Sequence, residues 1–145
     1  MNDVKLTSTL AFRLGTLGAI ATDRFSARLA PHDLKPKHVG LLSVLASGAA
    51  ASQLDIAKLM GVAPSLVVSL ADHLEAMGAV RRLRDPADRR RQTLTLTDEG
   101  SALLTECTTA ACELDTELTA GLTPTQLDAL HEALGHLAAE HGLPA

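Results

Sequence analysis

Apolar residues recur at helical spacing along most of this chain. The first stripe consists of Leu6, Leu10, Leu14, Leu17, Ile20, Phe25 and Leu29. Side chains three and four positions apart lie on one face of a helix, and Pro31 interrupts the spacing. The pattern therefore predicts a helix from about residue 5 to residue 29.

Two shorter helices are predicted next. Proline is favourable in the first turn of a helix, so the second helix begins near Pro36. Ser52 followed three residues later by Asp55 resembles a capping box, in which each side chain satisfies an unpaired backbone donor. The third helix therefore starts at Ser52 or Gln53, and Gly61 is a natural terminator for it.

The fourth predicted helix follows after a tight turn, with Pro64 in its first turn and Gly78 at its end. Its inward positions are Val67, Leu70, Ala71 and Leu74, which leaves Ser65, Leu66, Val68, Ser69, Asp72 and His73 on the other faces. Two interpretations of Leu66 and Val68 stay open. They are secondary core contacts, or they touch thymine methyl groups beside hydroxyls that bond base edges or phosphates.

Alternation replaces helical spacing after Gly78. Segments 79–84 and 92–97 predict two strands, the second by strict alternation of Leu and Thr. Residues 85–91 form a turn-rich basic loop between them. Two strands joined by such a loop are a hairpin, and a hairpin directly after a helix-turn-helix is a wing.

Two more helices complete the chain. Thr97 precedes two acids, so a capping hydroxyl and negative charge meet the positive end of a helix that we expect to reach Gly121. Thr123, Pro124 and Gln126 repeat the start signal for a last helix. The whole pattern predicts a mainly helical α+β chain, a winged helix-turn-helix with helices added at both ends.

Length and composition favour one soluble domain spanning residues 1–145. The chain has 145 residues, of which 46% are hydrophobic and 21% charged. No apolar run approaches the roughly 18 residues that span a membrane. Residues 1–9 lack the basic stretch and continuous apolar segment of a secretion signal. We therefore expect a cytoplasmic protein without a membrane partner.

Charge is distributed unevenly along the chain. The formal net charge is −4, but residues 1–97 hold all 13 lysines and arginines with eight acids, whereas residues 98–145 hold nine acids and neither basic residue. Six of the arginines fall within residues 81–91. A focused basic patch suits nucleic-acid phosphates, and a solvated charged loop is the alternative that the cluster by itself leaves open.

Several residues at fixed places in this order resemble the MarR family of bacterial and archaeal transcription factors. The most specific string is Gly78-Ala79-Val80, Arg82, Asp85-Pro86-Ala87-Asp88-Arg89-Arg90, Leu94-Thr95-Leu96-Thr97 and Gly100. Segments 34–45 and 52–62 are similar, less specifically, to the family's second helix and to the helix that braces its recognition helix. The resemblance covers nearly the whole chain.

The resemblance implies a homodimeric transcriptional regulator, more often a repressor than an activator. Helices 5–30 and 98–142 would intertwine with those of a second copy. Lobe 34–97 would bind duplex DNA at a pseudo-palindromic operator, with the wing arginines at the minor groove. The protein would then be associated with the nucleoid.

The residue assignments to DNA combine this resemblance with the charge pattern. They are Ser52, Pro64, Ser65, Leu66, Val68, Ser69, His73, Arg82, Arg84, Asp88, Arg89, Arg90 and Arg91. We expect Asp88 to brace an arginine. The family commonly has a basic residue near Ser69 or His73, so base recognition by the fourth helix rests here on weaker groups, with one hydrogen bond from His73.

Family resemblance also implies a small, often aromatic or anionic effector in a cleft between the dimer helices and the DNA-binding lobe. Candidate polar residues near that cleft are Arg13, Arg24, His32 and His38. Each of them has an alternative role as a surface charge or as a hydrogen-bonding group of the dimer interface.

Thiol chemistry is an alternative form of control. Cys107 and Cys112 are five residues apart on a predicted helix, so their side chains point to different sides and an internal disulfide is not expected. Both are interpreted as small packed residues. A redox-sensing regulator of the same fold, acting through a disulfide between subunits, is the alternative.

Metal and enzyme chemistry find little support in the sequence. His131, His136 and His141 are spaced by five, which places them on different helix faces, so no metal site or cofactor is predicted. No nucleophile elbow, phosphate loop or clustered carboxylates are present, and no enzyme is expected. A winged helix used only for protein interaction would leave the six clustered arginines unexplained.

Overall fold

The computed structural model describes residues 3–88 and 90–143. Its helices and strands are α1 (Leu10–Leu29), α2 (Pro36–Ser47), α3 (Gln53–Met60), α4 (Pro64–Ala76), β1 (Val80–Arg84), β2 (Gln92–Leu96), α5 (Asp98–Leu118) and α6 (Pro124–Glu140). The fold is mainly helical with one antiparallel hairpin, which confirms the predicted fold class.

The first helix begins later than its apolar spacing predicts. Thr9 Oγ1 accepts a hydrogen bond from the backbone N–H of Phe12 at 3.3 Å and so caps α1. The preceding residues Leu6–Ser8 form a separate 3-10 turn. Because a capping residue has extended backbone angles, Thr9 ends one turn and starts the next element.

The other helix starts follow the local signals in the sequence. Ser52 Oγ accepts from the N–H of Asp55 at 3.2 Å, which is the Ser52 half of the predicted capping box. Thr123 and Gln126 form the full box, since each side chain bonds the other's backbone N–H. Gly61 ends α3 at φ 66°, a left-handed conformation that favours glycine.

The described residues divide into two compact units, one up to Ala111 and the other from Cys112. The core of the first unit collects buried apolar residues of the helices and the hairpin. Its most deeply buried members include Leu29, Leu41, Leu42, Ile56, Val67, Leu74 and Cys107. The predicted inward face of α4 is confirmed, because Val67, Leu70, Ala71 and Leu74 are all buried.

The hairpin is joined by one isolated β-bridge that the sequence did not reveal. β1 and β2 pair in register from Val80 opposite Leu96 to Arg84 opposite Gln92. On the other edge of β2, Ser52 forms a bridge with Thr93. Because the bridge joins one residue to one residue, no alternation of apolar and polar positions marks it in the sequence. It connects the start of α3 to the wing.

The base of the hairpin is closed against the start of α5. Thr97 Oγ1 donates to the carbonyl of Gly78 at 2.6 Å and accepts from the N–H of Gly100 at 3.0 Å. A Cβ added at Gly100 would overlap the carbonyl oxygen of Ala79 and come within 2.8 Å of the Leu96 side chain. The predicted cap at Thr97 is thus also a joint between α4, β2 and α5.

Exposed leucines line the terminal helices. On α1 they are Leu10, Leu14 and Leu17, and in the second unit they are Leu122, Leu130, Leu134 and Leu137. Among the described residues, no single helix is both long and apolar enough to cross a membrane. The pair α3 and α4 meets those limits only when joined, across a bend of 111°.

Candidate nucleic-acid interface

The outward face of α4 carries small and weakly polar side chains. Ser65 and Ser69 are exposed, and Val68 is 43% exposed. Leu66, in contrast, is partly buried against the core, which favours its interpretation as a core contact. Apolar contact with a thymine methyl is therefore open to Val68, while the two hydroxyls suit base edges or phosphates.

The side chain of His73 contacts the corner between α1 and α2 and is not free on the outward face of α4. Its Nε2 lies 2.6 Å from the backbone oxygen of Asp33, in the corner between α1 and α2. Its ring stacks on that of His38, with centroids 4.5 Å apart. The sequence assigned His73 to DNA as a hydrogen-bond donor. The structure gives that donor an internal partner.

The side chain of Arg82, which was also assigned to DNA, links the wing to α4. Its guanidinium donates to Asp72 Oδ1 at 2.5 Å, to Glu75 Oε1 at 3.1 Å and to the Val68 carbonyl at 3.2 Å. Its side chain is only 18% exposed. These three bonds link the first wing strand to α4.

The loop of the wing is closed by its own backbone. The N–H of Asp85 donates to the carbonyl of Arg91 at 3.0 Å, and the N–H of Arg91 donates to the carbonyl of Asp88 at 2.9 Å. Asp88 Oδ1 accepts from the N–H of Arg90 at 3.0 Å. Asp88 was predicted to brace an arginine, and the brace in the described residues is to the backbone of Arg90.

The arginine side chains of the wing are turned to the surface. Arg84, Arg90 and Arg91 are exposed. The predicted DNA contact Arg89 lies outside the described residues. A hairpin with a fixed base and exposed cations can present positive charge at a defined place, which phosphate binding requires.

A cleft of about 310 Å³ brings five of the predicted DNA residues together. Its lining comprises Ser52, Gln53, Leu54, Pro64, Val68, Arg90, Arg91 and Gln92. Ser52 and Pro64 mark the N-termini of α3 and α4, where unpaired N–H groups carry partial positive charge. The cleft therefore combines two helix N-termini with two arginines.

Sequence reasoning missed the residue pair that holds this cleft in shape. Gln53 Nε2 donates to Gln92 Oε1 at 2.9 Å, linking α3 to β2. The Leu94 N–H donates to the carbonyl of Ala51 at 2.8 Å and supports the same junction. These partners are about 40 residues apart in the chain, so no local pattern could announce them.

A second cavity of about 570 Å³ lies between the end of α1, the start of α2 and α4. It is lined by Ser26, Ala30, Asp33, Leu34, Lys35, His38, Ser69 and His73. Of the four predicted effector residues, only His38 lines it. Arg13 and Arg24 are exposed on α1, and His32 Nδ1 lies 3.7 Å from Glu106 Oε2. Lys35 and His73 were missed as wall residues.

The two cysteines differ in environment. Cys107 is fully buried in the core, as expected of a packed residue. Cys112 is exposed, so the interpretation of Cys112 as a packed residue is wrong for the single chain. Burial raises the pKa of the Cys107 thiol, and the neighbouring Glu106 carboxylate raises it further. A thiol with a raised pKa holds less thiolate at neutral pH and is less reactive.

The histidines of α6 are placed as solvated or acid-paired side chains. His136 Nε2 lies 3.2 Å from Glu140 Oε1, one helical turn away. In the part of the chain that the structure describes, no three His, Cys, Asp or Glu side chains are grouped as metal ligands.

Comparison with known proteins places this geometry in a family context. Residues 32–91 match the model of the MarR family. A MarR-family transcriptional regulator from Rhodococcus sp. RHA1 is 26% identical, with a TM-score of 0.80 over 92% of this chain and 95% of that one.

Two further similar structures contain bound molecules. The transcriptional repressor CouR bound to a 23-mer DNA duplex is 29% identical, with a TM-score of 0.77 over 94% of this chain and 99% of that one. CouR from Rhodococcus jostii RHA1 bound to p-coumaroyl-CoA is 27% identical, with a TM-score of 0.73 over 92% and 94% of the two chains.

Proposed function

We propose that this chain is a winged-helix regulator of the MarR family, which its similarity to that family supports, and that it binds duplex DNA as a homodimer and represses transcription until a small molecule releases it. The observation that carries the proposal is the cleft where Arg90 and Arg91 lie beside the N-termini of α3 and α4. Arginines and helix N-termini both attract phosphate oxygens. The DNA complex of CouR supports the same activity for this chain.

The proposed division of labour follows exposure. The surface cations Arg84, Arg90 and Arg91, with Arg89 beside them in sequence, contact phosphates and the minor groove. Ser65, Val68 and Ser69 face the major groove, and Ser52 and Pro64 set the helix N-termini against the backbone. Arg82 and Asp88 act indirectly by fixing the position and shape of the wing.

Exposed leucines on both terminal helices support the homodimer. Leu10 and Leu14 of α1 and Leu130 and Leu134 of α6 are exposed in the single chain. Burying such side chains against a second copy stabilises an assembly by about 25 cal/mol for each Å² of apolar surface. Two copies related by a twofold axis would bind a pseudo-palindromic operator.

The cavity beside α4 supports control by a small, anionic or aromatic effector. Lys35 and the two histidines supply polar groups, while Ala30 and Leu34 supply apolar surface. CouR, bound to p-coumaroyl-CoA, is a relative with such a ligand. An effector between α1 and α4 would change the spacing of the two DNA-binding lobes, which is a population shift. We place this activity in the cytoplasm, at the nucleoid.

The test is binding of the purified full chain to the intergenic DNA upstream of its own gene, followed by fluorescence anisotropy beside a scrambled duplex. We expect selective binding to the intergenic duplex. The logarithm of the association constant should fall linearly with the logarithm of the salt concentration, with a slope of about −0.9 for each phosphate neutralised. Light scattering on the same sample reports the dimer. Leu134→Glu should give monomers that no longer bind, whereas His131→Gln on the same helix should behave like the parent.

Equal affinity for both duplexes, persisting after reduction and after refolding without ligand, would contradict a sequence-specific regulator. A monomer that binds operator as tightly as a dimer would contradict the homodimer. The salt series separates these cases, because a monomer neutralises fewer phosphates and gives a shallower slope.

A further inference from the structure

The corner between α1 and α2 contains a buried histidine in contact with α4. His38 is 8% exposed, and it is the buried polar residue among the described ones. Its ring stacks on His73 of α4 with 4.5 Å between centroids and 29° between planes. His73 Nε2 in turn lies 2.6 Å from the carbonyl oxygen of Asp33. The stack therefore joins α4 to the corner from two sides.

Hydrogen bonding fixes where the protons lie. The N–H of Lys35 donates to His38 Nδ1 at 2.8 Å, so this nitrogen carries a lone pair and the imidazole is neutral. The carbonyl of Asp33 can only accept, so His73 Nε2 carries a proton and donates it. A proton added to His38 Nδ1 would break the cap at the start of α2.

The backbone at the corner is held in an unusual conformation. Asp33 has φ 56°, in the left-handed region that residues other than glycine seldom occupy. Its N–H donates to the Ala30 carbonyl at 2.9 Å, which closes the turn after α1. The carbonyl that His73 contacts is thus presented by a fixed turn, not by a free loop.

We propose that His73 is a positioning residue that docks α4 on the α1–α2 corner, and that the His38–His73 stack makes this docking, and with it DNA binding, depend on protonation. The DNA part of this inference rests on the proposed function. Docking matters because α4 must keep a fixed distance from α1, the helix that we assign to the dimer.

The charges around the stack decide the direction of the effect. Asp33 faces it from the corner, Lys35 from the cap of α2 and His73 from α4, while Ser26 of α1 and Ala30 just after α1 carry no charge. Burial lowers the pKa of His38 below its ordinary value of 6.5. The charges of His73 and Lys35 lower it further, and Asp33 opposes them.

The sign of the pH dependence follows from linkage. Because the pKa of His38 is lowered in the docked protein, the undocked or unfolded chain binds this proton more readily. The docked state therefore has its full stability above about pH 6.5 and loses it as the pH falls through the folded pKa of His38. Acidification should release α4 from the corner.

The variant His38→Gln tests this directly. Glutamine at the third helical position can still accept from the Lys35 N–H in a capping box, but it does not titrate. His131→Gln, which removes an exposed histidine of α6, is the matched control. Hydrogen-exchange protection factors of the α4 amides are measured at about pH 7.5 and about pH 5.5, beside operator affinity at constant ionic strength.

The parent and His131→Gln should lose α4 protection and about threefold or more in operator affinity at the lower pH, whereas His38→Gln should lose neither. His73→Phe keeps a stacking ring without the hydrogen bond to Asp33. It should show reduced α4 protection at both pH values.

Parallel pH profiles of α4 protection for the parent and His38→Gln would overturn the inference, even if DNA binding is normal. If the hydrogen-exchange protection of α4 changes with pH as expected but the chain does not bind its operator, the docking inference stands and the proposed function is overturned. If His38→Gln is too unstable to purify, imidazole nitrogen shifts of the parent decide. A protonated His38 Nδ1 at about pH 7.5 contradicts the neutral stack.

Discussion

The guanidinium of Arg82 lies 2.5 Å from Asp72 Oδ1, so a side chain of the first wing strand is bound to α4. A second bond to Glu75 Oε1 at 3.1 Å makes the guanidinium bridge two carboxylates. In the proposed function, the wing and α4 contact DNA together. The bridge fixes how far apart they are before any DNA arrives, which lowers the ordering cost of binding.

Arg82→Ala should weaken operator binding about tenfold by loosening the wing. Its effect on the free energy of unfolding should be about 1 kcal/mol or less, because both carboxylates are substantially exposed. Arg81→Ala removes an exposed cation from the same strand and is the matched control. Equal losses of affinity in the two variants would show that only charge matters, and the bridge would then have no positioning role.

Arg90→Ala should reduce operator affinity and lower the salt slope by about one phosphate contact. Its side chain is exposed, so the free energy of unfolding should stay within about 0.5 kcal/mol of the parent. From the sequence pattern, Arg89→Ala is expected to reduce operator affinity and the salt slope in the same way as Arg90→Ala. Arg13→Ala, an exposed cation of α1, is the control. A variant Arg90→Ala that binds operator as tightly as the parent would contradict the role of the wing.

Gly100→Ala should destabilise the protein by about 1–3 kcal/mol in urea unfolding, because the new methyl group meets the Ala79 carbonyl. That carbonyl belongs to the backbone and cannot swing aside as a side chain would. Gly121→Ala places its methyl group where no atom lies within 4 Å and should be nearly neutral. Similar unfolding midpoints for the two variants would rule out the close approach at the hairpin base.

Cys107 should resist alkylation in the folded protein and react only when the chain unfolds. It is fully buried, and burial raises its pKa, so it presents little thiolate at neutral pH. Mass spectrometry after iodoacetamide treatment with and without urea measures this, and Cys112, which is exposed, serves as the internal comparison. Rapid labelling of Cys107 under native conditions would revive a thiol switch at that residue.

The sequence by itself determined the elements, their order and most of their starts, although α1 begins at Leu10 and not near residue 5. Ser52, Thr97 and Thr123 are capping residues whose partners lie three positions away, so each start is encoded locally. The inward face of α4 was equally readable from apolar spacing. The wing was predicted because alternating apolar and polar residues and a cluster of arginines occur together in one short segment. The residues that resemble the MarR family most specifically lie in that same segment.

Only the tertiary structure decided which polar side chains remain open to a partner. Arg82 and His73 look like DNA contacts in sequence, yet their donors are bonded to Glu75 seven residues away and Asp33 forty residues away. The same folding left Arg90 exposed and buried His38. A hydrogen bond between distant residues depends on how helices pack against each other, and a one-dimensional pattern of residue types does not record that packing.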